Sequence, residues 1–244
     1  MNETKWKFKG QNMNLLNINT VDFPENKELL EIIDKLKKDE LKQIFEDGLT
    51  TNYDRYKKYL FESNLFIFKD LEDNIKESVN CLIIGSFIAS ITNTNLILER
   101  AIKLALIMYE SGVLSDYNDE KIIEKYIKAD KEYSGKSLDK NIQRCIRYNI
   151  LNSDESSELK AYKLKFRDGF SHFTPKNILK GENNLTSIPL DSQNSKMEKH
   201  LKMPIYQSIE VQIFARKNAE KHLKYVLEII NHLQYKVLEK FREA

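Results

Sequence analysis

Apolar residues recur every three to four positions along most of this chain, a spacing that predicts amphipathic α-helices. The first such stretch runs from Glu25 to Gly48, and a glycine at this point is typical of a helix C-terminus. The stretch from Ile75 to Tyr109 is apolar nearly all round in its first half. This pattern indicates a buried helix, or a broken helix pair, at the centre of a helical bundle.

The other periodic stretches predict shorter helices and one very long helix. Shorter helices are expected over residues 118–131, 138–150 and 154–170. Ser153 or Asp154 would supply the N-cap of the last of these. After Pro204 an apolar stripe of near-heptad spacing predicts a helix of about 38 residues and about 57 Å. That length predicts either a bend or an end that protrudes and packs against a second subunit.

Three segments depart from a regular helical period. Residues 64–68, in an aromatic-rich stretch, are expected to be irregular. Residues 1–24, where Trp6 and Phe8 alternate with lysines, predict an extended, irregular N-terminal arm. Residues 181–203 are rich in Asn, Ser, Lys and Glu and predict a long, flexible, exposed loop. The whole pattern predicts an all-α fold, a single helical domain over residues 25–244 with a long C-terminal helix.

Composition narrows the possible classes of protein. Seven Gly and four Pro are too few for a sandwich of many short strands joined by turns. The formal net charge of +2 gives no general attraction to polyanions, so a nucleic-acid surface would have to be a local patch. Cys81 and Cys145 form no C-x-x-C pair, and the histidines lack metal-ligand spacing. We therefore expect reduced thiols, no metal site and no cofactor.

The sequence shows no signal for secretion or for membrane insertion. The residues that follow Met1 lack the apolar run of a signal peptide. The most apolar stretch, from Cys81 to Ile91, has about half the length that is needed to span a bilayer. These observations predict a cytoplasmic protein without a membrane partner.

One short run carries recognisable chemistry, the six residues from Arg167 to His172. On a straight α-helix these two side chains would point about 140° apart, because five positions rotate by about 500°. Gly169 weakens that helix, and Thr174 with Pro175 begins a new one. His172 is therefore expected in a corner between helices, from which its imidazole ring can turn back towards Arg167.

An arginine and a histidine that converge suit phosphodiester cleavage in RNA, where the 2′-hydroxyl loses a proton and the departing 5′-oxygen gains one. His172 could serve as the base or the acid. Arg167 could hold a phosphate and stabilise the charge on its oxygens. Asp168 could orient either side chain, and Ser171 could add a hydrogen bond to phosphate. This chemistry requires no metal ion.

The run resembles the R-x4-6-H signature of the HEPN superfamily, in which a polar residue commonly follows the arginine and the motif lies in an all-α bundle. Here Asp168 follows Arg167, and His172 stands at the shortest allowed spacing. The resemblance extends to the order of helices over residues 75–240, but identity is confined to the six residues. Asp168 departs from the family pattern, since asparagine is commoner there and a carboxylate can compete with phosphate for Arg167.

The resemblance implies a metal-independent endoribonuclease that leaves a cyclic phosphate and a 5′-hydroxyl. It also implies a homodimer in which the two motifs face one cleft. Such proteins often serve as toxins or antiviral defence effectors in prokaryotes, so RNA and a cognate antitoxin are the partners to expect.

Glu99 is a lone acid within an otherwise apolar stretch. The resemblance places it on the helix that packs against the motif, where it could position Arg167 or His172. The other interpretation is a salt bridge from Glu99 to Arg100 or Lys103, or simple exposure to solvent.

Basic residues could bind an RNA backbone near the motif. Arg144 and Arg147 share one helix face with Lys140, and Lys163 and Lys165 lead into the motif. Runs of charge on helical proteins are also commonly ordinary solvated faces, and the sequence leaves both interpretations open.

A structural role for the motif is the alternative to catalysis. Arg167 would then pair with Asp168 or a neighbouring carboxylate, and His172 would cap the corner before Pro175. In that case we expect a non-catalytic helical interaction or nucleotide-binding module that oligomerises through its C-terminal helix.

Overall fold

The computed structural model describes residues 27–61, 64–112, 119–180 and 203–242. Within these ranges the chain forms helices and no strand, so the predicted all-α fold is confirmed. The predicted N-terminal arm and all but the last residue of the predicted loop lie outside them. None of the helices in these ranges is both long and apolar enough to cross a membrane. The chain has two compact units, residues 1–46 and residues 47–244.

The helices occur where the apolar spacing predicts them. In chain order they are α1 (Lys27–Tyr56), α2 (Lys58–Phe61), α3 (Glu72–Ile83), α4 (Phe87–Ser111), α5 (Glu120–Ser134), α6 (Leu138–Arg147), α7 (Ser153–Tyr162), α8 (Gly169–Ser171), α9 (Pro175–Ile178) and α10 (Pro204–Arg242). A 3₁₀ turn at Lys69–Leu71 precedes α3, and a π-helix at Lys163–Asp168 joins α7 to α8. The ends of α5 and α6 agree with the prediction to within three residues.

Helix α4 is at the centre of the second unit, where it packs against α3, α5, α6 and α10. Its side chains Ile97, Leu98 and Ile102 are almost completely buried, as the apolar pattern of this stretch predicts. Of the two alternatives for this stretch, a single buried helix or a broken helix pair, the structure has the broken pair, because α3 and α4 are separate helices. Gly85 lies at the break with a φ of 76°, in the left-handed region that glycine adopts readily.

The apolar stripe of the long helix α10 belongs to the core of its own chain. Leu223, Ile230 and Val237 are buried, and α10 packs more extensively on α4 than on any other described helix. The middle of the stripe is therefore not exposed for a second subunit, whereas Ile209 and Phe241 near its two ends are exposed. This geometry does not support oligomerisation through the middle of the stripe, although the near-heptad spacing on its own resembles a coiled coil.

Helix α1 does not end at Gly48, and that prediction was wrong, because the helix continues to Tyr56. A Cβ atom at Gly48 would lie 2.7 Å from the carbonyl oxygen of Ile83 and 2.8 Å from the Cα atom of Ile84. Glycine is therefore required for the close approach of α1 to the end of α3. Glycines that end a helix and glycines that allow close packing look alike in a sequence.

The first unit contains the described residues 27–46 of α1. Its regularly spaced large apolar side chains are exposed by more than a third of their surface. They are Leu29, Leu30, Ile32, Leu36, Leu41, Ile44 and Phe45. The apolar spacing predicted this helix correctly, but it did not identify a buried face.

Helix α7 is capped one residue earlier than predicted, by Asn152 in place of Ser153 or Asp154. The Asn152 side-chain oxygen accepts hydrogen bonds from the backbone N–H groups of Asp154 and Glu155, both at 2.9 Å. The Glu155 carboxylate accepts the backbone N–H of Asn152 at 2.8 Å. This reciprocal arrangement is a capping box, which leaves fewer N–H groups without a partner at the start of the helix.

One buried side chain of α10 holds the irregular segment at residues 64–68, which was predicted to be irregular. The Gln234 Oε1 atom accepts the three successive backbone N–H groups of residues 66–68, at 3.0, 3.1 and 3.3 Å. Its Nε2 atom donates to the Asn64 carbonyl at 3.1 Å. Because this segment forms no regular helix, the Gln234 amide supplies the partners that its backbone would otherwise lack.

We expect the substitution Gln234→Leu to lower the free energy of unfolding by at least about 2 kcal/mol, because it leaves several backbone groups without partners. The measurement is the midpoint of urea unfolding followed by circular dichroism. Gln212→Leu is the matched control, since Gln212 is exposed on the same helix. It should change stability by no more than about 0.5 kcal/mol. Equal effects of the two substitutions would contradict the role of Gln234.

We also expect Gly48→Ala to lower the free energy of unfolding by about 1–3 kcal/mol, because the new methyl group would collide with the backbone of α3. Alanine has the higher helix propensity, by about 1 kcal/mol, so an α1 without this contact would be stabilised instead. Gly135→Ala is the control, because a Cβ atom there has no neighbour within 4 Å. Thermal unfolding of both variants distinguishes the two outcomes.

Candidate functional site

The π-helix at Lys163–Asp168 contains Arg167, the first residue of the motif. In a π-helix the hydrogen bonds join residues five apart, and such turns are rare and frequently mark functional sites. The spacing of residues 154–170 predicted an ordinary α-helix here, and that prediction was wrong over the π-helical residues. The motif thus begins in an irregular turn that other parts of the fold must stabilise.

Two buried side chains from other helices hold this turn. Asn95 of α4 donates from Nδ2 to the carbonyl oxygen of Phe166 at 3.0 Å. Its Oδ1 is left to accept from Nε2 of His222 on α10, at 2.9 Å, so His222 is the Nε2–H tautomer. The rings of His222 and Phe166 stack with centroids 4.2 Å apart. We call Asn95, Phe166 and His222 the buried cluster.

Within the buried cluster His222 is neutral at physiological pH. Burial lowers the pKa of His222 to about 3. Its Nδ1 atom has no hydrogen-bond partner among the described residues. Protonation would therefore place a charge in a site that offers nothing to accept it, and this favours a positioning role over proton transfer.

Arg167 is fixed by two carboxylates. Its Nε donates to Glu99, one turn beyond Asn95 on α4, at 2.7 Å, and its Nη1 donates to Asp168 at 3.0 Å. About a third of the Arg167 side chain is exposed to solvent, and its Nη2 has no partner within the described part of the chain. Of the two interpretations of Glu99, the contact with Arg167 is present, whereas Arg100 pairs with a different carboxylate, that of Asp70.

Lys163 extends the network to α6. Its ammonium group lies 2.8 Å from Asp168 and 3.1 Å from Asp139. Burial acts to raise the pKa of Asp168, but hydrogen bonds from Lys163 and Arg167 outweigh it and hold that pKa below its usual value. Burial similarly acts to lower the pKa of Lys163, and its two carboxylate partners raise it overall. Each of these charges is thus stabilised by its neighbours.

The corner after the motif is present, but Gly169 does not cause it. Gly169 has helical angles of −59° and −53°, and a Cβ atom there would lie only 2.7 Å from the Ile178 side chain. The helix breaks at His172 and Phe173 instead, where Phe173 has a φ of 44°. A left-handed conformation is unfavourable for phenylalanine, and such outliers cluster at functional sites. Pro175 then begins α9 as predicted.

The structure brings the predicted catalytic residues onto one short stretch, but no hydrogen bond between described atoms joins Arg167 to His172. His172 is exposed at the C-terminus of α8, and Ser171 beside it is exposed as well. Arg167 is oriented and half-buried. The arrangement can present a fixed cation and a solvent-accessible imidazole, which are the two groups that the predicted chemistry needs.

The four residues predicted to bind RNA have different environments. Lys163 is only 17 % exposed and is held in ion pairs, a geometry that does not favour phosphate binding. Lys165 lies 4.8 Å from the centre of the Phe214 ring. Arg144 and Arg147, in contrast, line a cavity of about 300 Å³ between α5 and α6.

Sequence reasoning missed the contribution of Asn95 and His222. His222 packs in the core, and it also donates a hydrogen bond to Asn95, which in turn contacts the backbone of the motif's π-helix. One signal was available: Asn95 and Glu99 are four positions apart, which puts both on one face of α4. The partner of that face could not be read from spacing.

Comparison with known proteins adds no relative to this picture. No protein-family model, no curated protein and no solved structure matches the chain. Among the described residues, no group of three or more His, Cys, Asp and Glu side chains could hold a metal ion.

The lowered pKa of His222 predicts how stability changes with pH. As the pH falls, His222 of the unfolded chain, with a pKa near 6.5, binds a proton at a much higher pH than His222 of the folded protein does. The contribution of His222 is therefore fully present above pH 6.5 and is lost as the pH falls, by about 2 kcal/mol between pH 7 and pH 5. In His222→Gln, which can still donate to Asn95, urea unfolding should show a pH dependence smaller by that amount.

The matched control is His232→Gln, on the same helix, which should retain the His222 share of the pH dependence. If His222→Gln kept the full pH dependence of the parent protein, the neutral, buried state of His222 would be disproved.

Proposed function

We propose that this protein is a metal-independent endoribonuclease of the HEPN type, with Arg167 and His172 as its catalytic residues. The observation that carries the proposal is the state of Arg167: two carboxylates orient its guanidinium through Nε and Nη1, while Nη2 has no partner among the described residues. His172 follows at the exposed end of the same short helical segment.

The chemistry assigned to these residues is the internal transesterification of RNA. His172 takes the proton of the 2′-hydroxyl, whose oxygen attacks the adjacent phosphorus, and the bond to the 5′-oxygen breaks. The departing oxygen takes up a proton, so the products are a cyclic phosphate and a 5′-hydroxyl. Arg167 donates to a non-bridging oxygen and stabilises the charge that grows on it.

Asp168 and Glu99 act as positioning residues in this proposal. Both accept hydrogen bonds from Arg167, and Asp168 is in addition bound by Lys163. Because Asp168 shares its charge between two cations, it competes less strongly with a phosphate for Arg167 than an unshared carboxylate would. Ser171, exposed next to His172, is assigned a supporting hydrogen bond to the substrate.

The proposal includes pairing of two copies, so that two motifs face one cleft, and a role in defence or as a toxin controlled by an antitoxin. Support for pairing comes from the exposed apolar side chains of α1, since rows of this kind commonly mark interaction surfaces.

We expect the purified protein to cut single-stranded RNA in the presence of EDTA and to leave cyclic phosphate ends. His172→Ala should lower the rate by roughly 100-fold to 10,000-fold, the usual contribution of a general acid or base. His232→Gln is the matched control and should keep full activity, because His232 lies on α10 and contacts Ile150 and Glu155, neither of which belongs to the motif. Cleavage is followed by gel electrophoresis of end-labelled RNA.

Circular dichroism must show that His172→Ala is folded, and Arg167→Lys provides a second variant that keeps the charge but loses the planar fork. Activity that survives both substitutions, or that EDTA abolishes, would remove the assignment. A folded protein without nuclease activity would favour a non-catalytic helical module.

A further inference from the structure

The cavity between α5 and α6 carries an excess of positive charge. It has a volume of about 300 Å³, and its lining includes four basic side chains and a single carboxylate. They are Lys136, Lys140, Arg144, Arg147 and Glu132. We infer that this α5–α6 cavity binds backbone phosphates of an RNA strand, apart from the phosphate that Arg167 would hold. The inference rests on the proposed function only for the choice of RNA as the ligand.

The distribution of partners leaves two of the four cations available. Glu132 lies 3.4 Å from Arg144 and 3.6 Å from Lys136 and so serves both of them. Lys140 and Arg147 are exposed and have no acidic partner within the described residues. Phosphate oxygens can therefore bind these two side chains without displacing a protein carboxylate, so binding breaks no ion pair.

Arg144 is held in place before any ligand arrives. Its guanidinium lies 5.7 Å from the centre of the Tyr148 ring, which stacks on Tyr109 with centroids 5.0 Å apart. The Tyr148 hydroxyl donates to Glu110, and so does the hydroxyl of Tyr133. A fixed arginine loses less conformational entropy when it binds a phosphate than a free one does.

The position of α6 favours a strand over a single phosphate. Lys140, Arg144 and Arg147 follow one another on one face over about 10 Å of helix, a span longer than one phosphate group. Asp139, next to Lys140, is bound by Lys163 of the π-helix at 3.1 Å. The row of cations therefore begins beside the turn that carries Arg167, and a strand bound there can continue towards the motif.

The test measures binding separately from cleavage. The full chain with His172→Ala is titrated into fluorescently labelled single-stranded RNA, and anisotropy gives Kd at several salt concentrations. Adding Lys140→Gln and Arg147→Gln should weaken binding at least tenfold and reduce the slope of log Kd against log salt by about 1.4, since each phosphate contact contributes roughly 0.7. Lys125→Gln with Lys128→Gln removes the same charge from exposed positions of α5 and should leave Kd and slope nearly unchanged.

Several outcomes would overturn the inference. They are an unchanged Kd in the cavity variant, an equal loss in the control variant, and displacement of the RNA by ATP at equal phosphate concentration, which would assign the cavity to a free nucleotide. Cavity-dependent binding without any nuclease activity of the parent protein would overturn the proposed function alone. Cleavage with cavity-independent binding would overturn this inference alone.

Discussion

The hydrogen bond from Asn95 to the carbonyl oxygen of Phe166 is the contact on which the candidate site depends. It joins the central helix α4 to the π-helix, and it is buried, so its loss would leave polar groups without water or protein partners at a cost of about 1–3 kcal/mol. His222 completes the arrangement, because it occupies the other side of the Asn95 amide and stacks on the Phe166 ring. Three separate parts of the chain thus determine one turn.

Glu99 extends this control from the backbone to the side chain of Arg167. It lies one helical turn beyond Asn95, so the same face of α4 holds both the π-helix and the guanidinium of Arg167. Asp168 and Lys163 then connect Arg167 to α6 through Asp139. Partly buried charges that are all paired can keep Arg167 in one orientation, which is a condition for stabilising a developing charge. A network of this kind also explains why Lys163, unlike Arg147, is a poor candidate for binding phosphate.

The glycines of this chain show that a local sequence pattern does not reveal why a glycine is required. Gly48 and Gly169 were both predicted to end or weaken a helix, yet both lie within helices. Each is required because a Cβ atom would overlap an atom of a neighbouring segment, the backbone of α3 in one case and Ile178 in the other. Such contacts join residues far apart in the chain or across a turn, and no local pattern records them. Gly85, in contrast, lies where the chain turns between two helices, and a broken pair was one of the two alternatives that the sequence left open for this stretch.

The sequence by itself determined the all-α class, the central position of α4 and the corner that follows His172. These features follow from apolar periodicity and from proline at the start of a helix, which act over a few neighbouring residues. Only the tertiary structure decided the π-helix, the partners of Arg167 and the burial of His222, because each depends on side chains that meet from α4, α10 and the motif. The different environments of Arg144, Arg147 and Lys163 have the same origin. These residues carry the same charge in the sequence, but the fold decides which carboxylates lie beside each of them.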